Sequence, residues 1–126
     1  MAECAMRSDE EISRYAAAYR ARSVALRAAE QARAREIRER LPNVAAMLRR
    51  DFGVSRVGYF GSLAGGHFAE GSDVDVYVDR IRSGSYFDAL DRVAEMLDLP
   101  VDLVEIELAP ESIRETIAES GVELGD

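Results

Sequence analysis

Gly61-Ser62 is followed, ten residues later, by Asp73-Val74-Asp75. The glycine-serine pair ends an apolar stretch, Val57-Gly58-Tyr59-Phe60, and the two carboxylates head another, Val74-Asp75-Val76-Tyr77-Val78. On a strand, residues i and i+2 share a face, about 6–7 Å apart at the backbone. Two hard oxygen ligands at that separation suit magnesium (Mg2+), which can bridge nucleotide phosphates and support both oxygens of an in-line displacement. A glycine at a strand end lets a phosphate come close to the main chain. Ser62, read as the cap of a helical turn, offers its hydroxyl and unpaired N–H groups to an anion. One element holds a triphosphate and the other its metal, which points to phosphoryl or nucleotidyl transfer.

The doublet alone would say little. An acid-x-acid pair recurs by chance in an acidic chain, and Glu105-Ile106-Glu107 is a second one with no glycine-serine turn before it. The coincidence of both elements, each at a strand end, carries the reading. Tyr77 shares a face with Asp73 and Asp75, where it could stack on a base, although packing is the simpler role. His67, the only histidine, follows Gly65-Gly66 in the motif loop and could touch phosphate, yet a lone loop histidine is more often incidental. A Ser-His-Asp triad and a histidine-built metal centre do not fit, because Ser62 is better explained as a phosphate ligand.

Composition narrows the classes further. The 126 residues make one domain, residues 1–126, with a helical extension over 1–41 and the chemistry in 42–126. The net charge of -8 disfavours a direct nucleic-acid binder. Residues 1–50 hold eleven arginines against seven acids, whereas 51–126 hold five against seventeen. Lysine is absent, which excludes P-loop, Schiff-base and kinase-type lysine chemistry. Cys4 is the single cysteine, so no intrachain disulfide forms, and with no leader-like or membrane-spanning run a cytoplasmic home is expected.

The elements that must position these residues follow from pattern. Asp9-Glu10-Glu11 opens a long helix whose Ile12, Tyr15, Tyr19, Leu26, Ile37 and Leu41 recur at roughly helical spacing on a narrow stripe that falters around Gln31 to Arg35, which leaves much of the helix to solvent. Pro42 suits the first turn of a second helix, Asn43 to Asp51, closed by Gly53. Arg56 to Phe60 reads as a strand, Ser62 starts a short helical turn that Gly65-Gly66 weakens, and Asp73 to Asp79 alternates as a strand with Val74, Val76 and Val78 inward. Ser85-Tyr86-Phe87-Asp88 resembles a capping box opening a helix that buries Leu90, Val93, Ala94 and Leu97. Val101 to Ile106 is a third strand, and Pro110 starts a last helix stopped by Gly121.

Val57 to Ser62 together with Ser72-Asp73-Val74-Asp75-Val76 resembles the GS-x10-D-x-D motif of minimal nucleotidyltransferases in the DNA polymerase β superfamily. The likeness extends to Phe52-Gly53-Val54-Ser55-Arg56-Val57, Tyr86 to Leu90, Pro100-Val101-Asp102-Leu103-Val104 and Gly121-Val122-Glu123-Leu124, covering about residues 44–124. It implies an α+β fold: a small mixed sheet flanked by helices, here preceded by the long N-terminal helix. It also implies that Asp73, Asp75 and Asp102 are catalytic metal ligands, with Asp102 activating the acceptor hydroxyl, and that Gly61 and Ser62 bind the nucleotide. The alternative role for Asp102 is a capping acid at a strand start, and the catalytic role is the favoured one. The family usually carries arginine or lysine after the alanine of this turn, where this chain has Gly65; that departure bears on rate more than on fold.

Proteins of this kind often serve as antitoxins in HEPN–MNT pairs, transferring AMP from ATP to a tyrosine of the HEPN toxin. The resemblance therefore implies a magnesium-dependent, ATP-using transferase with a HEPN-type toxin as partner, docking near the first helix. Two other readings stand beside it: an antitoxin that masks its partner by binding alone, and transfer to a small molecule. The arginines of residues 20–40 suit a solvated helix, an acidic partner or a homo-oligomer through that helix.

Overall fold

The computed structural model describes residues 9–66, 68–69 and 71–125; Cys4 and His67 lie outside the described residues. The first element is one helix, α1, Asp9–Phe52, with acids in its first turn and Arg49 and Arg50 in its last, as the helix dipole favours. It runs unbroken through Pro42, where the sequence predicts two helices. Proline costs an interior helix about 3 kcal/mol in lost hydrogen bonding and steric conflict. Leu41, Val44, Ala45 and Leu48 flank it with no exposed surface, and burial of the leucines and the valine at about 1.5–3 kcal/mol each outweighs that cost. Gly53, in the left-handed region at φ 73°, ends the helix as expected.

Four strands follow: β1 (Val57–Phe60), β2 (Val74–Val78), β3 (Val101–Glu105) and β4 (Val122–Leu124), lying in the order β3-β2-β1-β4. β1 is antiparallel to β2 and β4, and β2 is parallel to β3. The sheet is therefore mixed, and the α+β architecture anticipated from the sequence is the observed one. The short turn α2 (Ser62–Gly65) follows β1, α3 (Tyr86–Leu97) precedes β3, and α4 (Glu111–Ser120) precedes β4. A 3-10 turn, Ile106–Leu108, continues from β3. Among the described residues no helix is long and apolar enough to cross a membrane.

Period-two alternation splits the strand side chains between two layers. Val57, Tyr59, Val74, Val76, Val78 and Leu103 join α1, α3 and the buried Phe68 in the main core. Phe60 and Tyr77 point the other way and pack on Ile117 of α4. Gly58 sits opposite Tyr77, and any β-carbon there would overlap the tyrosine ring. Tyr77 is thus a packing residue, 2% exposed, rather than a platform for a base.

Three local readings need correction. Ser85 stands at the N-cap of α3, but its side chain makes no capping bond, so the capping box does not form. The buried face of α3 is Ala89, Val93 and Leu97, with Leu90 and Ala94 at its margin. β4 escapes the sequence pattern because it is three residues long and largely exposed. Tertiary bonds hold it: Arg49 donates to the Leu124 and Gly125 carbonyls at 2.8 Å each, and Arg56 pairs with Glu123 at 2.7 Å.

Candidate functional site

The register of the sheet brings the motif residues together. β1 pairs Phe60 with Asp75, so the chain leaving β1 at Gly61 passes directly over the start of β2. β2 pairs Asp75 with Asp102 on its other side. Asp75 is therefore flanked by the glycine-serine turn and by the third aspartate, with Asp73 at the mouth of its own strand.

Gly61 adopts φ 72°, ψ -144°, a conformation essentially reserved for glycine. A β-carbon at this position would overlap Asp75 Oδ2, so a side chain is excluded twice, by torsion and by space. Gly61, not Ser62, is the N-cap of α2, and Ser62 is its first helical residue. This corrects the expectation that Ser62 caps the turn; its side chain instead stands half-buried at the head of the turn. Gly61 accepts the Gly65 N–H at 3.0 Å, and Gly66, left-handed at φ 78°, returns its N–H to Ser62. The loop beyond is anchored by Phe68, which has no exposed surface.

Partial burial pushes the Asp75 carboxyl above its ordinary range, and the charges of Asp102 and then Asp73 push it further. The same proximity that makes Asp75 costly to ionise makes it attractive to a cation. Asp73 and Asp102 are both exposed. An all-carboxylate donor set is the chemistry of magnesium and other hard divalent ions. Residue type and strand register fit such an ion, although among the described residues no group of three or more Asp, Glu, His or Cys side chains is gathered tightly enough to hold one.

Sequence reasoning passed over Tyr86 as a site neighbour. Its hydroxyl donates to the Leu103 carbonyl, and burial, then the charges of Asp102 and Glu105, raise its pKa. It buttresses the strand that carries Asp102, and the only signal in the sequence is an aromatic at a helix start. Glu105, the decoy doublet's first member, lies opposite Val78 at the far end of β2 and accepts the Ile81 N–H at 3.0 Å. Its role is structural. His67, the remaining motif-loop candidate, falls outside the described residues.

No curated protein sequence matches the chain. Among solved structures, a chain of a toxin-antitoxin complex crystallised with AMP-PNP is similar, with 26% identity and a TM-score of 0.58 over 67% of this chain and 72% of the other. A minimal nucleotidyltransferase is similar at 25% identity and a TM-score of 0.62, over 72% of this chain and 95% of that one. A chain of the MntA-HepT toxin-antitoxin structure, at 21% identity and a TM-score of 0.56 over 70% of this chain and 71% of that one, shares the fold. The family model for polymerase beta nucleotidyltransferases matches residues 43–126. That span takes in every strand of the sheet together with the glycine-serine turn, and the chain belongs to the polymerase beta nucleotidyltransferase family.

Proposed function

We propose that this protein is a magnesium-dependent adenylyltransferase of the antitoxin type, moving AMP from ATP onto a hydroxyl, most simply a tyrosine, of a HEPN-type toxin. One observation carries the reading: strand register sets Asp75 between Asp102 and a glycine that admits no side chain. In this scheme Gly61 lets the triphosphate lie against the main chain, and Ser62 donates from its amide and hydroxyl. Asp73, Asp75 and Asp102 hold the magnesium, which when bound supplies neutralising charge to the phosphate oxygens. Asp102 accepts the proton of the acceptor hydroxyl as its oxygen bonds to the α-phosphorus, and pyrophosphate leaves. The similar toxin-antitoxin chain crystallised with AMP-PNP supports the choice of nucleotide and of partner class.

The direct test incubates the protein and its Asp75→Asn variant with α-labelled ATP, magnesium and lysate of the source cell. Label on a protein band with the wild type only is the expected outcome. Equal labelling by the variant would exclude the mechanism. Because the three carboxylates are not gathered as they stand, a second reading is an antitoxin acting by binding alone. It requires that Asp73→Asn and Asp75→Asn still neutralise the toxin, and loss of protection in both would count against it.

A further inference from the structure

We infer that the free half of α1 is a self-association surface on which a second copy of this chain lays the same helix in the opposite direction. Core residues of α1 begin only at Ala34. Residues 9–27 thus project roughly 28 Å from the body of the molecule, with Leu26 at its edge, where Ala29 and Arg33 meet Phe68. The projecting part carries Ile12 at 52%, Tyr15 at 61%, Tyr19 at 64% and Leu26 at 64% exposure. Ile12, Tyr19 and Leu26 recur at intervals of seven, and the same stripe continues into Ile37 and Val44, which are buried. The apolar face that packs on the core therefore runs on past it, uncovered. Glu30 and Arg33 interrupt the stripe between Leu26 and Ile37, but a helix with few tertiary contacts is marginal in water, and a row of exposed large apolar side chains of this kind marks an interface.

The charges select the occupant. The projecting segment holds acids at its start, Asp9, Glu10 and Glu11, and arginines beyond, at 14, 20, 22 and 27. Two copies running parallel would set each arginine beside its own image. Running oppositely about Tyr19, they set Ile12 against Leu26 and Glu11 against Arg27, each pair occurring twice by two-fold symmetry. The partner's first turn then arrives at the cavity of about 470 Å³ lined by Leu26, Ala29, Arg33 and Phe68, with Glu30 and Glu36 also on its wall. Arg33 Nε is buried there with no hydrogen-bond partner among the described residues, and the incoming turn is rich in carboxylates. The segment is self-complementary in apolar contact and in charge. It precedes the family-matched residues 43–126, so this association does not depend on the transferase reading.

Sedimentation equilibrium on the full chain tests this, with helicity followed by circular dichroism. The wild type is expected to be dimeric, and Ile12→Arg with Leu26→Arg to weaken association about 100-fold or more at unchanged helicity of the core. Glu11→Arg or Arg27→Glu alone should weaken it about fivefold, and the two together should restore it. A monomeric wild type, or a dimer that survives the double arginine variant, would overturn the proposal. Failure of the charge swap to restore association would overturn the opposed arrangement.

Discussion

Asp75 is the residue on which the site turns, and its surroundings make it expensive to keep charged. Burial and two neighbouring carboxylates act on it together, so replacing it with asparagine removes a cost as well as the carboxylate proposed to hold the metal. Asp75→Asn is expected to abolish labelling of the partner while leaving the thermal midpoint unchanged or raised by a few degrees. After allowance for solvent screening the gain is about 0.5 kcal/mol. A midpoint lowered by several degrees would show that Asp75 holds the fold instead. Gly61 and Gly66 make a controlled pair, since both have positive φ but only Gly61 faces a neighbour. Gly61→Ala should cost about 2–4 kcal/mol and all transfer, whereas Gly66→Ala should cost about 1 kcal/mol, both read from urea midpoints.

Secondary-structure elements here are fastened by a few polar groups whose effects are separable. Asp79, just past β2, accepts the Ser55 and Arg56 amides at 3.0 and 3.1 Å, closing the bend that leads into β1. Burial works to raise its carboxyl, but the amides of Arg56, Ser55 and Arg80 outweigh it and hold the carboxyl below its ordinary value. A depressed carboxyl stabilises the fold above the unfolded value near 3.8 and loses that contribution as pH falls through the folded one. Asp79→Ala is thus expected to lower stability by about 1–2 kcal/mol at neutral pH. The two urea midpoints should converge in acid, and a gap that persists there would assign the loss to packing. Pro42 offers the opposite case. It interrupts helix bonding inside α1 without ending it, so Pro42→Ala should stabilise the protein by about 2 kcal/mol, measurable as a higher melting temperature.

At the scale of the molecule, charge divides between the long helix and the sheet. The arginine-rich first fifty residues include both the projecting and the core-packed parts of α1, and the acidic remainder holds the sheet and the site. A chain beginning at Glu30 should keep the stability of the whole within about 1 kcal/mol, at concentrations where both are monomeric, because among the described residues none of the core precedes Ala34. A collapse of its urea midpoint would place the projecting helix in the fold. The amino-acid order by itself determined the strand positions around both motif elements and the glycine-serine turn, because alternation and turn chemistry are local properties, and the α+β class followed only through the family resemblance of those residues. It could not decide that α1 runs through Pro42, since local propensity says stop and only the buried Leu41, Val44 and Leu48 say continue. Nor could it show β4, whose three residues become a strand only when Arg49 and β1 supply partners. The meeting of Asp75 with Asp102 and Gly61 was likewise decided by register, a pairing between segments distant in the chain that no local pattern contains.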